Sequence, residues 1–257
     1  MAEAIPVFAA LTPRVKRIPL DRPWTWLAKG WRDLFAAPCV SLAYGVGLAA
    51  ISVVLTAGLA FSGLYYLILP LVAGFFLVAP LLAVGLYDTS RRIEAGAPVS
   101  LADAIGASRR NPTQIGFMGV ALLLIHLFWV QVAILLFALF FHSQTPSLDS
   151  LIDALLFSDA SLPFLVTGTL IGAGFASVAF AIGAVSIPML IDREVNVFTA
   201  IATSWTAVQA NWKPMALWAA LIVFLTGLGL ITFYFGFVLA LPLLGHATWH
   251  AYRDLVE

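Results

Sequence analysis

Two of the four histidines, His246 and His250, stand one helical turn apart in a stretch without Asp, Glu, Lys or Arg, and this spacing puts both on one helix face. Imidazoles so placed can bind a metal, serve as axial ligands to cofactors, or hydrogen-bond to neighbouring backbone and lipid phosphate. One such pair lacks the further protein ligands of a closed metal site. Trp249, Tyr252 and Arg253 give the same stretch an aromatic and cationic end suited to a headgroup layer. His246, Trp249, His250, Tyr252 and Arg253 are therefore the first candidate surface for a ligand or partner. His126 and Gln131 lie in another apolar run, with His142 at its outer end, and polar groups at membrane depth are functional candidates because burying them is costly. Arg91, Arg92, Arg109 and Arg110 are headgroup candidates, each base near an anionic leaflet being worth about 1 kcal/mol, although the same residues serve equally as topology signals.

No nucleophile motif, glycine-rich phosphate loop, HExxH pattern or membrane-embedded carboxylate pair occurs, so catalysis is not expected. Cys39, the single cysteine, has no partner thiol for a disulfide or a zinc site. No metal, cofactor or nucleic-acid partner is expected.

The elements that position these residues follow from composition. The chain has 257 residues, 62% of them hydrophobic and 10% charged, where an ordinary soluble chain is about 25% charged. There is too little polar surface to cover such a chain in water, which excludes a soluble enzyme, a secreted disulfide scaffold and a disordered tail. Uncharged apolar stretches run from Val40 to Phe61, Leu64 to Tyr87, Gln114 to Phe141 and Pro163 to Ile191. The final block, Pro214 to Tyr252, would be about 58 Å long as one helix against a hydrocarbon core of about 30 Å, so it must fold back. A reversal near Thr232 to Gly236, with Gly236 supplying the tight turn, gives a fifth and a sixth span.

All 13 Lys and Arg residues fall at 14–32, 91–110, 193–213 and Arg253. Short cytoplasmic connections retain such residues, so both termini are expected on the cytoplasmic side of a bacterial inner membrane. The opposite side keeps Asp149, Asp153 and Asp159. There Leu148, Leu151, Ile152, Leu155 and Leu156 follow helical spacing and predict a short helix on the outer surface. The N-terminal apolar run precedes its basic cluster, the reverse of a cleavable signal, and residues 1–22 read as a cytoplasmic tail.

Three cytoplasmic connections are alike. Pro23 to Ala37 precedes Pro38, Leu101 to Arg110 precedes Pro112, and Phe198 to Trp212 precedes Pro214, each a short amphipathic helix leading into a proline-started span. Pro80-Leu81-Leu82, Pro188-Met189-Leu190 and Pro242-Leu243-Leu244 end the even-numbered spans. The expected fold is an all-α membrane domain over 23–257, with six transmembrane helices as three repeated units of interfacial helix plus two-span hairpin, about 23–88, 98–192 and 196–254. Aligning the repeats puts Val84 opposite His246 and Asp88 opposite His250, so the third unit has gained its imidazole pair. In the first interfacial helix Trp24, Leu27, Trp31, Leu34 and Phe35 share a face, with Lys29, Arg32 and Asp33 elsewhere, as in a helix lying in the headgroup plane. Small residues at Gly168, Gly172 and Ala176, continued by Ala179 and Gly183, and at Gly45 and Ala49, predict close helix packing.

Three segments carry a resemblance: the opening Pro23-Trp24 to Asp33-Leu34, the junction Gly85-Leu86-Tyr87 to Ser90-Arg91-Arg92 with Gly96 and Pro98, and the ending Gly245-His246-Ala247-Thr248-Trp249-His250-Ala251-Tyr252-Arg253. Together they resemble an uncharacterised bacterial integral inner-membrane family, a domain of unknown function, over about residues 20 to 257, with the GHxTWHxYR ending its most specific part. Members labelled cytochrome c oxidase proteins imply a respiratory connection. A haem-copper oxidase core resembles a twelve-span protein with six histidine ligands, which four scattered histidines do not supply. The repeat plan also looks like the membrane domains fused to some glycerophosphodiester phosphodiesterases, without the phosphodiesterase domain.

The expected function is that of a non-enzymatic accessory or assembly factor of a membrane complex, with a respiratory oxidase the complex the resemblance implies. The alternative is a carrier or exporter of a lipid or small apolar molecule. The expected partners are membrane lipids and a respiratory complex; the sequence leaves the oligomeric state open.

Overall fold

The computed structural model describes residues 13–64, 79–141 and 157–257. Most of the second expected span, the outer surface helix at 148–156 and His142 lie outside the described residues. Among those described the secondary structure is helical, apart from one isolated antiparallel bridge between Val15 and Val256. Ten α-helices are described: α1 Arg22–Ala36, α2 Pro38–Phe61, α3 Val84–Glu94, α4 Leu101–Gly106, α5 Pro112–Phe141, α6 Ser161–Gly183, α7 Ser186–Asp192, α8 Val197–Ala210, α9 Trp212–Ile231 and α10 Phe237–Leu255.

Local chemistry accounts for their ends. Pro38 and Pro112 open α2 and α5, where a missing amide hydrogen costs nothing and the fixed φ suits the first turn. Ser100 and Asn196 cap α4 and α8 by accepting from the backbone N–H of Asp103 and Thr199. The span read as continuous from Pro163 to Ile191 is interrupted at Ala184 and Val185, between α6 and α7. Pro188 explains the break, since it has no N–H to offer the Ala184 carbonyl four residues earlier. Ser204 of α8 fills the gap: its Oγ accepts from Val185 N–H at 3.1 Å and donates to Ala181 O at 2.8 Å.

The final apolar block does fold back at 232–236, but Gly236 is not the residue that bends. Phe233 and Tyr234 take the left-handed conformation, with φ of 51° and 70°. Tyr234 is fixed there by its hydroxyl, 2.8 Å from Thr56 Oγ1 of α2, and by ring contact with Phe237. Gly236 serves closeness instead, since a Cβ there would sit 2.7 Å from Thr232 Oγ1.

Four helices are long and apolar enough to cross a membrane: Pro38–Phe61, Pro112–Phe141, Ser161–Asp192, which runs through the break, and Trp212–Ile231. Their flanks present Val54, Phe61, Leu124, Phe128 and Leu139 outward, a surface that hydrocarbon covers and water does not. Helix α10 is not among the four. It has 19 residues, but its second half carries His246, His250, Arg253 and Asp254, and that half is buried in protein. The core gathers at the end of the bundle where the short helices lie, around Trp26, Tyr87, Met118, Trp218, Trp249 and Tyr252.

The small-residue stripes divide. Gly45 and Ala49 meet α10 closely, and a Cβ on Gly45 would collide with the Val238 carbonyl. Pro242, four residues later, donates no hydrogen to that carbonyl, so α2 crosses α10 where the helix is locally open. In α6, a Cβ on Gly172 would stand 3.2 Å from the Trp129 ring, whereas one on Gly168 would meet nothing within 4 Å and Ala176 is exposed, so the expected continuous packing stripe is not formed among the described residues.

Candidate functional site

The polar residues converge on the second half of α10. Gly30 lets α1 lie against it, for a Cβ there would stand 2.7 Å from Ala247 N and 2.9 Å from Leu243 O. With α1 so close, Asp33 is carried into the interior, 7% exposed, where it meets Ser90 of α3 and His250 of α10, and Ser90 links it to His246. Ser41, in the first turn of α2, closes the group from the other side.

Hydrogen-bond roles follow from chemistry. The Asp33 carboxylate accepts only, so Ser90 donates its hydroxyl proton to Oδ2 at 2.6 Å. Ser90 Oγ must then accept at its 2.8 Å contact with His246, which assigns the proton to Nδ1 of that ring. His246 Nε2 lies 2.9 Å from Ser41 Oγ, and in the neutral ring it accepts there. Ser41 Oγ is also 2.9 Å from the Ala37 carbonyl, which already receives the Ser41 amide, so that oxygen is not orphaned when the hydroxyl turns to the ring. His250 Nε2 reaches the same Asp33 oxygen at 2.7 Å. Burial alone would push the Asp33 carboxyl up, but the hydrogen bonds from His250 and Ser90, with the charge of His250, outweigh it and hold the carboxylate below its ordinary range.

The candidates on α10 are thus placed largely in the interior of the protein. His246 has no exposure and both its ring nitrogens are engaged, leaving none for a metal or haem; Trp249 and Tyr252 are equally enclosed. Trp249 Nε1 donates to Glu94 at 3.1 Å, and Tyr252 donates to Asp192 at 2.6 Å while accepting from Arg193 at 2.8 Å. Arg253, the exposed member, pairs with Glu94 at 3.2 Å and Asp192 at 3.6 Å. Below them Asp254 accepts from Arg22 at 2.5 and 2.7 Å and from Trp26 at 3.0 Å. Burial raises the Asp254 carboxyl, and the Arg22 and Trp26 bonds more than reverse it.

The remaining candidates lie elsewhere. Arg91 and Arg92 both close on Asp88, each at 2.7 Å, and Arg92 also reaches Asp103 at 3.0 Å, so this pair is spent on protein carboxylates. Burial opposes the charge of Asp88, yet the two guanidinium groups hold its carboxyl low. Arg109 is exposed, while Arg110 donates from Nε to Ile191 O at 3.2 Å. His126 and Gln131 sit on α5 away from this centre; His126 Nδ1 is buried without a hydrogen-bond partner among the described residues, and Gln131 is exposed. Among the described residues no three His, Cys, Asp or Glu side chains gather where they could hold a metal.

Asp33, Ser41 and Ser90 are the site residues that sequence reasoning missed. The available signal was Asp33 itself, a carboxylate on a helix whose outward side is apolar.

A helical chain with four membrane-length apolar helices and its polar groups gathered at one end is an integral membrane protein. Residues 67–192, just under half of the chain, match the model of a family described as "Predicted integral membrane protein (DUF2189)", so this segment is similar to that uncharacterised membrane family. The match takes in the Gly85 to Arg92 junction and ends at Asp192, before the His246 and His250 stretch. No curated protein and no solved structure matches the chain.

Proposed function

We propose that the protein is a non-enzymatic accessory or assembly factor of a larger complex in a bacterial inner membrane. Its architecture in this reading is six spans in three units, with both termini cytoplasmic. The observation that carries the reading is how the polar groups are used. His246, Ser41, Ser90, Asp33 and His250 satisfy one another in a closed interior cluster, which positions helices and presents no reactive group to a substrate. Meanwhile α5 spans 30 residues with Ile115, Met118, Leu122 and Leu136 as its buried positions, which leaves a long apolar flank exposed among the described residues and suited to packing against other membrane helices. The oxidase label carried by members of the resembled family makes a respiratory complex the first partner to test.

Purification of the full chain in a mild detergent, followed by mass spectrometry of what accompanies it, tests this. Stoichiometric subunits of one membrane complex are expected, and they should be lost when Phe128 and Leu139 on the exposed flank of α5 are replaced by Ala. Recovery of the protein alone from every mild detergent tried would overturn the proposal.

One observation favours the carrier reading. Between α5 and α6 an apolar groove of about 560 Å³ is lined by Leu124, Ile125, Phe128, Ile171, Phe175 and Val178, and it would accept an acyl chain. Movement of a fluorescent lipid between leaflets of reconstituted vesicles, dependent on these residues, would decide for a carrier.

A further inference from the structure

A second polar feature lies apart from the closed cluster, at the boundary where α5 begins and α7 ends. It is a cavity of about 620 Å³, within the range of small-molecule sites, and its polar wall is formed by Arg110, Asn111, Gln114, Asp192, Arg193 and Glu194. The wall is built by specific bonds. Asn111 Nδ2 donates to the carbonyls of Leu190 at 3.3 Å and Val195 at 3.4 Å, Gln114 Oε1 accepts from Val197 N–H at 2.8 Å, and Arg110 Nε holds Ile191 O. These bonds strap the 193–196 loop to the start of α5 and fix the opening.

What they leave over defines the ligand. Arg110 uses Nε on the backbone, and its two terminal nitrogens have no protein acceptor among the described residues. Arg193 uses Nε on the Tyr252 hydroxyl. Asp192 is consumed by the Tyr252 proton and lies near both Arg193 and Arg253. Glu194 is exposed and forms no ion pair among the described residues. The wall thus offers guanidinium donors and one open carboxylate at near-neutral total charge. A bare anion would be opposed by Glu194 and a bare cation by the arginines, whereas a zwitterion satisfies both. The cavity opens at the depth where two membrane-length helices, Pro112–Phe141 and Ser161–Asp192, meet water, which is where headgroups lie.

We propose that this cavity binds a phosphoethanolamine group, its phosphate held by Arg110 and Arg193 and its ammonium by Glu194. Guanidinium suits the phosphate because its planar donors can engage two oxygens at once. Glu194 distinguishes a primary ammonium, which donates hydrogen bonds, from a quaternary one, which does not. The chemistry is shared by a phospholipid headgroup and by the free soluble compound.

The test uses the full chain in nanodiscs of phosphatidylcholine containing phosphatidylethanolamine or phosphatidylglycerol, with retained lipid counted by native mass spectrometry. Phosphatidylethanolamine should be enriched over both. Arg110→Ala should weaken its retention about tenfold, the loss expected for one charge-assisted contact. Glu194→Gln should abolish the preference over phosphatidylcholine while leaving phosphate-dependent retention in place. Both side chains belong to exposed residues, and unchanged melting temperatures would exclude misfolding. Calorimetry with soluble phosphoethanolamine on delipidated protein separates the two sources: saturable binding identifies the free compound as a ligand, and its absence alongside lipid enrichment identifies the headgroup. Equal retention by wild type and Arg110→Ala, or a preference for phosphatidylglycerol that Glu194→Gln does not alter, would overturn the proposal.

Discussion

Asp33 organises the buried cluster, and its chemistry sets how the protein should respond to acid. Its carboxylate accepts from Ser90 and His250 in the interior, and like those of Asp88 and Asp254 it ionises below the ordinary carboxyl range near pH 4. A carboxyl whose folded pKa is depressed binds protons less readily than in the unfolded chain. Its stabilising contribution is therefore complete above the ordinary value and is lost as pH falls through the depressed one. The part of the acid transition that these carboxylates carry should appear as a drop in the melting temperature in detergent below about pH 4. The Asp33→Ala variant should lose about 3 kcal/mol at neutral pH, because the hydroxyl of Ser90 and the ring of His250 would be left inside without their acceptor. An acid limb as steep in Asp33→Ala as in wild type would show that this carboxylate is not part of the transition. The sequence pointed to His246 and His250 as a pair on one helix face, and the structure keeps them together. It did not reveal Asp33, because the apolar residues of a helix in water mark its buried side, whereas beside a membrane the outward side is apolar too. Trp24, Trp31 and Phe35 occupy that outward side, each 46% exposed or more, and the carboxylate turns in.

Elements were legible where periodicity or charge marked them, and less so where backbone contacts decide. The short helices before Pro38, Pro112 and Pro214 correspond to α1, to α4 with the 3₁₀ turn Ala107–Arg110, and to α8. The fold-back at 232–236 was readable from length alone, since about 58 Å of helix exceeds any bilayer. Its left-handed residues were not, because Phe233 and Tyr234 are held in that conformation by packing and by Thr56 on another helix. The break at Ala184 was hidden for a similar reason: Pro188 invites it, but Ser204 on α8 makes it tolerable. The packing of α2 on α10 gives a direct test. At Gly45 a Cβ would run into the Val238 backbone, which a rotamer change does not relieve, while at Gly47, two residues on, nothing lies within 4 Å. Gly45→Leu should cost about 3 kcal/mol of stability, and Gly47→Leu should cost little and serve as the control. Similar melting temperatures for the two variants would mean that α2 does not cross α10 at this point.

At the scale of the whole molecule the two ends of the chain constrain the topology together. Lys16 N–H donates to Leu255 O at 2.9 Å and Glu257 N–H to Arg14 O at 3.0 Å, and Arg22 pairs with Asp254. Residues 14–22 and 254–257 therefore lie on one side of the membrane, which requires an even number of crossings whatever the number of spans. In the proposed topology the distribution of Lys and Arg assigns that side to the cytoplasm, since the regions 14–32, 91–110, 193–213 and Arg253 hold all 13 of them. The two arguments are independent, one resting on backbone hydrogen bonds and the other on the energetics of insertion. Four apolar helices already give an even count, so the decisive elements are α10 and the segment between Gly63 and Ala79. If both cross, reporters fused after residues 63, 150 and 235 should read outside, and those after 95, 195 and 257 inside. Position 235 carries the most weight, for it lies in the reversal between α9 and α10. An outside signal there requires α10 to return through the membrane with His246 and His250 shielded in its inner half by Asp33, Ser41 and Ser90. An inside signal at 235 would instead leave α10 on the cytoplasmic surface, remove the last two-span hairpin, and end the reading of three equivalent units.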